Sequence, residues 1–179
     1  MSRIDQMIRE LCPNGVHFAT IGEVADVTAG ATPSKSVAEY WTNGTIPWLS
    51  SGEVNKGTIY EADTLISQAG YDSCSTKLIP PGAVVMALAG QGKTRGTVAR
   101  TRLACCTNQS LASIVPNEGL DADFLFYFLG TQYSRLRDLS SGDGTRGGLN
   151  LAMIRAYRVP VPPLEVQREI VRVLDQFTQ

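Results

Sequence analysis

A glycine-rich loop with polar side chains at its tip contains the residue types best suited to binding chemistry. It follows the apolar run AVVMALA and carries an amide, two cations and a hydroxyl within five positions: Gln91, Lys93, Thr94 and Arg95. Such side chains donate hydrogen bonds to base edges and to phosphate oxygens. The β-prone run GTVART after the loop predicts a hairpin with these residues at its tip.

The same loop, GQGKT, leaves a second interpretation open, that of a nucleotide- or phosphate-binding enzyme. A P-loop has the form GxxxxGK[ST] and is followed at once by a helix whose N-terminal amides face the phosphates. Ala87 stands at the first glycine position, and residues 95–98 are strand-like. These departures favour the hairpin, whereas a rise in melting temperature on adding ATP would favour the enzyme.

Two further groups of residues offer similar chemistry. A second glycine-rich loop, SSGDGTRGGLN, places Thr145 and Arg146 between glycines that let the backbone approach a ligand closely. Asn108 and Gln109 offer amides between predicted strands, and Ser51 offers a hydroxyl in the turn after TIPWLS. The alternative is structural, because such a loop is often only a turn and such an amide is often buried and satisfied.

The residues that catalysis most often needs are scarce. His17 is the one histidine in the sequence and lies in the stretch VHFATI, so we expect it to be partly buried rather than catalytic or metal-binding. Glu53 and Lys56 suggest a nuclease, but no second carboxylate is suitably spaced beside Glu53, so we expect surface turn residues. The sequence therefore predicts no catalytic residue, no metal site and no cofactor.

Composition is typical of a cytoplasmic globular protein. The 179 residues are 43% hydrophobic and have a formal net charge of -1. The four cysteines form no CxxC pair, and Cys105 and Cys106 are adjacent, which favours reduced thiols. Neither a signal peptide nor a run of ~20 uncharged apolar residues is visible, so we expect no membrane contact.

Charge is unevenly distributed along the sequence. Residues 1–76 carry 4 basic and 9 acidic side chains, whereas residues 77–117 carry 5 basic and no acidic ones. A basic block on a β-rich scaffold fits a polyanionic partner, and a solvated face offset by acidic neighbours is the alternative. The block consists of Lys77, Lys93, Arg95, Arg100 and Arg102.

The pattern of apolar residues predicts an α+β fold with an irregular, mostly-β body and a few helices. A capping box predicts a helix over residues 2–11, and short β-prone runs follow from 16 to 116. The segment DADFLFYFLG predicts a helix capped by Asp121 or Asp123.

A last amphipathic helix is predicted to start at Pro162 and Pro163. Its apolar stripe continues without a C-cap, so we interpret it as a stripe that pairs with another helix; packing on its own domain is the alternative. The candidates for helix pairing are Val166, Ile170, Val173 and Phe177.

Five segments in register resemble the DNA specificity subunits of Type I restriction-modification systems. They are IGEVADVTAGATPSK, YWTNGTIPWLSSGEVNKG, KLIPPGAVVMALAGQGKTRGTVA, NQSLASIVPN and GTRGGLNLAMIRAYRVPVPPLEVQREIVRVLD. The resemblance implies a target recognition domain over residues 1–162, followed over 163–179 by the start of a long conserved helix.

The resemblance also implies a function. Members of this family are non-catalytic, and a domain of this kind would recognise half of a bipartite target through the major groove of double-stranded DNA. The polar residues named above would then contact bases or phosphates, and the subunit would dock a methyltransferase subunit and a restriction subunit. Members usually carry two such domains and two long helices, so a homodimer through an extended C-terminal helix is a further expectation. A protein-interaction scaffold without DNA contact remains the alternative, which salt dependence would separate.

Overall fold

The structure, a computed structural model, describes residues 1–90, 92–140 and 147–178. The α-helices in this part of the chain are α1 (Arg3–Leu11), α2 (Ile21–Val24), α3 (Gln68–Asp72), α4 (Ala122–Thr131), α5 (Tyr133–Ser140), α6 (Leu151–Ala156) and α7 (Leu164–Asp175). The strands are β1 (Phe18–Thr20), β2 (Ala25–Ala29), β3 (Ile46–Leu49), β4 (Thr58–Ile59), β5 (Thr64–Ile66), β6 (Val84–Ala87), β7 (Val98–Thr101), β8 (Cys106–Thr107), β9 (Leu111–Pro116) and β10 (Arg158–Pro160). Two 3-10 helices cover Ala38–Tyr40 and Ser51–Lys56.

The strands of the described residues form three sheets. The largest has the order β2-β9-β6-β7-β4, in which only the β4–β7 pair is parallel. A three-stranded sheet has the order β5-β3-β8, and β1 pairs with β10. Short strands divided among several sheets give the irregular β body, and the α+β fold class is confirmed.

The central strand β6 is buried on both faces, and its alternating side chains enter two clusters. Val84 and Met86 pack in the cluster that contains Phe124 and Leu125 of α4. Val85 and Ala87 enter a second cluster on the opposite face of the sheet. Because successive strand side chains point to opposite faces, one continuous apolar run supplies both clusters.

Local capping explains where the sequence prediction holds and where it differs. The amides of Asp5 and Phe124 donate to the side chains of Ser2 and Asp121, at 3.1 and 2.9 Å, which confirms two predicted helix starts. The run VHFATI is only half strand, because Glu23 accepts from the Thr20 backbone N–H at 2.8 Å and a helical turn begins at Ile21.

Candidate functional site

The predicted glycine-rich hairpin is present, and it contradicts the P-loop interpretation. Strands β6 and β7 are antiparallel neighbours, and the loop closes with a hydrogen bond from the Gly96 N–H to the Ala87 carbonyl at 2.9 Å. Gly90, Gly92 and Gly96 have positive φ angles, which an L side chain rarely adopts. A strand rather than a helix follows the loop, so the helix N-terminus that a P-loop requires is not there.

The two cations of this loop have different environments. The Lys93 side chain is exposed, while its carbonyl accepts hydrogen bonds from the Tyr133 hydroxyl at 2.8 Å and the Thr97 hydroxyl at 3.0 Å. Arg95 is half-buried and donates to the carbonyl of Gly147. Arg95 therefore braces the loop, and Lys93 carries the charge that a ligand can meet.

The other predicted residues of the two glycine-rich loops are placed less fully. Thr94 is half-buried, and its carbonyl accepts the Thr97 N–H at 2.9 Å. Gln91, Thr145 and Arg146 lie outside the described residues. Near the end of the second glycine-rich loop, the Leu149 N–H donates to the Leu88 carbonyl at 2.9 Å, so this part of the loop lies beside the hairpin.

Two arginines of the basic block are engaged inside the fold. The Arg102 guanidinium binds both carboxylate oxygens of Asp123 at 2.9 Å, and Arg100 lies 3.2 Å from Asp175. The hydrogen bond from Tyr127 and the Arg100 guanidinium hold the pKa of Asp175 below its usual value. Poorly solvated guanidinium groups need such partners, so Arg100 and Arg102 are not part of a basic surface for a polyanion.

A cleft of about 460 Å³ lies beside the hairpin, between the small sheet and the turn after β8. Its aromatic wall is Trp41 and Trp48, whose rings meet edge to face at 5.2 Å and 84°. Each indole N–H donates to a backbone carbonyl at 3.0 Å, Trp41 to Ser34 and Trp48 to Ala31. The remaining lining residues are Thr32, Lys35, Ser50, Thr64, Asn108 and Gln109.

The predicted amides Asn108 and Gln109 both line this cleft. Asn108 accepts the Ser110 N–H on its side-chain oxygen at 3.0 Å, and its own backbone N–H donates to the Leu49 carbonyl at 2.9 Å. Gln109 is exposed, and its side-chain oxygen accepts the Thr32 hydroxyl at 2.5 Å. Neither amide is fully buried, since Asn108 is half-buried and Gln109 is exposed, although the side-chain oxygen of each accepts a hydrogen bond.

Glu53 is buried and binds the backbone of Ser50, which lines the cleft, so the prediction that Glu53 is a surface turn residue is wrong. Only 4% of Glu53 is exposed, and its carboxylate accepts from the backbone N–H groups of Ser50 and Asp63 at 2.9 and 3.0 Å. Lys56 pairs with it at 3.1 Å. The spacing Ser50-x-x-Glu53 is a capping-box pattern that could have predicted this role. Ser51, half-buried, starts the helical turn that this carboxylate holds.

Sheet register brings the hairpin and the cleft to the same place. Ala29 and Ala87 pair with Ala112 and Leu111, so β2 and β6 end where β9 begins. We call this end of the five-stranded sheet the loop edge; it consists of the described residues 30–35, 88–90, 92–97, 108–110 and 147–149. The Leu88 N–H donates to the Ser110 carbonyl at 2.9 Å and links the hairpin to the cleft turn directly.

Helix α7 lies toward the other end of the sheet and packs on the body of the domain. Val166 is fully buried in the main core, and Ile170 packs against that core. Val173 is half-buried and Phe177 is 81% exposed. Of the four predicted pairing residues, Val173 and Phe177 thus retain the surface that pairing needs.

The side chains that most often bind metal ions are dispersed in the part of the chain that the structure describes. His17 is exposed, contrary to expectation. No group of three His, Cys, Asp or Glu side chains could hold a metal ion among these residues. Nor does any helix among them combine the length and apolar character needed to cross a membrane.

The chain matches the model of a known protein family over most of its length. The model of the "Type I restriction modification DNA specificity domain" matches residues 13–179. The chain belongs to this family. The loop edge is thus a feature of a Type I specificity domain, and the resemblance seen in the sequence is confirmed.

Relatives with curated names are specificity subunits of longer length. The EcoR124I/EcoR124II specificity subunit of Escherichia coli is 26% identical over 164 residues, which are 90% of this chain and 41% of that protein. The MjaIX specificity subunit of Methanocaldococcus jannaschii is 29% identical over 88% of this chain and 36% of that protein. The specificity domain here spans about two fifths of the length of these relatives.

Solved structures have the same fold. The HsdS subunit from Thermoanaerobacter tengcongensis superposes with a TM-score of 0.72 at 24% identity, over 98% of this chain and 42% of that one. A chain from work on complex assembly and conformational transition of the type I R-M system gives 0.71 at 25% identity, over 91% and 38%. The α+β arrangement described above is therefore that of solved type I specificity subunits.

Proposed function

We propose that this domain binds double-stranded DNA sequence-specifically and recognises one half of the target site of a Type I restriction-modification complex. Family membership supports DNA recognition, and the loop edge supplies groups that suit it. The domain carries out no chemistry of its own and needs no cofactor. Its role is to select the sequence on which partner subunits act.

The observation that carries the proposal is the convergence of donor side chains at the loop edge. The exposed Lys93 ammonium and the cleft amides of Asn108 and Gln109 belong to different turns that adjoin the same end of the sheet. The major groove of B-DNA is about 12 Å wide and admits a β-hairpin. A hairpin carrying a cation next to a cleft with amides suits one phosphate contact and neighbouring base contacts.

The partners follow from the family rather than from the loop edge. We propose a methyltransferase subunit, and in the full complex a restriction subunit, as the proteins that this domain directs to DNA. Residues 163–179 would begin a longer helix, beyond a recognition domain over 1–162. Val173 and Phe177 would pair with a second helix, and two copies joined in this way would be related by a twofold axis and prefer a palindromic site.

The first prediction concerns Lys93 and tests the function directly. Selection of duplexes from a random pool by the chain should enrich one motif, and Lys93→Ala should weaken binding to the enriched and scrambled duplexes alike, because a phosphate contact carries no sequence information. Arg9→Ala is the control, since α1 packs against α7, away from the loop edge. Failure to enrich any motif would contradict sequence-specific binding, and unchanged affinity in Lys93→Ala would remove the hairpin from the interface.

A further inference from the structure

The side-chain oxygen of each cleft amide accepts a hydrogen bond from a neighbouring residue, and for Asn108 the partner fixes the orientation. The Asn108 side-chain oxygen accepts a backbone N–H, which only an oxygen can do, so its NH₂ group is fixed by elimination. The Gln109 side-chain oxygen accepts the Thr32 hydroxyl. Neither amide nitrogen has an acceptor within the described ranges, so the uncommitted groups of this pair are donors.

The rest of the cleft has the same polarity. Among the described residues that line it, Lys35 is the charged one, and no carboxylate is present. Both indole N–H groups already donate to backbone carbonyls, so the tryptophans contribute apolar surface and a fixed shape. The cleft therefore presents two amide donors and an ammonium group beside an aromatic wall.

We propose that this cleft is a specificity-determining subsite that reads a guanine of the target through Asn108 and Gln109. The inference rests on the proposed function and deepens it, because it names the base edge that the donors fit. Guanine presents two adjacent acceptors, N7 and O6, in the major groove. Two amide NH₂ groups on consecutive residues match this pair of acceptors.

The same arrangement rejects the other bases. Adenine presents an amino donor beside N7, and cytosine presents an amino donor, so each would place N–H against N–H. An amide that reads adenine accepts from N6 on its oxygen, and here each oxygen already accepts one hydrogen bond, from the Ser110 N–H or the Thr32 hydroxyl, which leaves one lone pair for N6 and favours guanine over adenine. Thymine presents a single acceptor, O4, and leaves one donor unmatched.

Base substitution in the selected duplex tests the subsite on the unmodified chain. In the motif enriched from the random pool, replacing the guanine that this cleft reads by 7-deazaguanine removes N7 alone, and we expect affinity to fall at least about fivefold. Methylphosphonates at the flanking positions test the competing source of acceptor oxygens. If 7-deazaguanine leaves the affinity unchanged at every guanine of the motif, the subsite is overturned. If the affinity falls only with methylphosphonates, the donors bind phosphate oxygens instead, which also overturns the subsite.

Variants then connect the guanine to the two amides. Asn108→Asp and Gln109→Glu keep the shape and replace the NH₂ donor by an acceptor, so repeated selection should exchange that guanine for cytosine or adenine, whose amino groups can donate. Asn117→Asp is the matched control, because Asn117 is exposed and follows the far end of β9. If both variants still enrich the motif with the same guanine, the subsite is overturned and the proposed function stays intact. If the unmodified chain enriches no motif at all, both the subsite and the proposed function are overturned.

Discussion

Lys93 and Arg95 stand two positions apart in one loop, yet they differ in environment. The Lys93 side chain is exposed, whereas Arg95 is half-buried. Arg95 donates to the Gly147 carbonyl, and the Arg137 guanidinium donates to the Arg95 carbonyl at 3.1 Å. These bonds join the hairpin to α5 and to Gly147 of the second glycine-rich loop. A cation in a loop is therefore not evidence of a ligand contact until its own partners are known.

At the same scale, burial sets the chemistry of the adjacent thiols Cys105 and Cys106. Burial raises the pKa of Cys105 to about 12 and that of Cys106 to about 11. In the unfolded chain both would ionise near pH 8.5. The folded state thus keeps protons that the unfolded state loses, so the free energy of unfolding should fall as pH rises above about 9, by ~1.4 kcal/mol per thiol per pH unit, up to about pH 11 for Cys106 and about pH 12 for Cys105.

Urea unfolding at several pH values measures this dependence. A Cys105→Ala, Cys106→Ala double variant provides the control, since it retains every other titrating group and should have a shallower decline. An equally steep decline in the double variant would show that the two thiols do not cause it. Alkylation at pH 8 gives an independent reading, because Cys12 and Cys74 are only half-buried and should react before the buried pair.

At the scale of elements, a buried amide clamps α7 to the turn before α4. Gln167 is fully buried; its side-chain oxygen accepts the Asp121 N–H at 2.8 Å, and its nitrogen donates to the carbonyls of Gly119 and Pro162 at 2.8 and 2.7 Å. Gln167→Leu would leave the Pro162 carbonyl buried without this partner and would remove two partly buried hydrogen bonds. We expect a loss of roughly 2–5 kcal/mol in the free energy of unfolding.

Chemical denaturation of the variant measures this loss. Arg168→Ala, a change at the next and exposed position of α7, serves as the control and should cost less than about 0.5 kcal/mol. If Gln167→Leu were as stable as the parent chain, α7 would not be clamped in this way. Among the described residues, α7 would then be attached through the ion pairs of Glu169 with Arg3 and of Asp175 with Arg100.

Elements whose signals are local could be predicted from the sequence, and those that depend on partners could not. The helix caps at Ser2 and Asp121 and the β6–β7 hairpin follow from short patterns. The cleft did not follow, because Trp41, Thr32 and the amides meet only through the pairing of distant strands. For Glu53, the bond to the Ser50 N–H follows from a local capping-box pattern, whereas the bond to the Asp63 N–H, ten residues away, follows from no short pattern.

At the scale of the whole molecule, ion pairs in the fold neutralise two of the cations that lie close together in the sequence. A segment with five cations and no carboxylate suits a polyanion as a sequence, but in the fold Arg100 and Arg102 bind Asp175 and Asp123 of later helices. The described cations near the loop edge that remain exposed are lysines, chiefly Lys35 and Lys93. The surface that we propose for DNA binding is thus rich in neutral donors and modest in positive charge.

This distribution predicts a weak dependence of DNA binding on salt. Each neutralised phosphate contributes a slope of about -0.9 to a plot of log affinity against log salt concentration, so two or three contacts give roughly -2 to -3. Titrations of the selected duplex at several salt concentrations measure the slope, and Lys93→Ala should make it shallower by about 0.9. Arg9→Ala should leave it unchanged. A slope steeper than about -5 would require the paired arginines to face DNA as well, which contradicts the ion pairs described here, whereas a slope near zero would favour a scaffold that makes no phosphate contact.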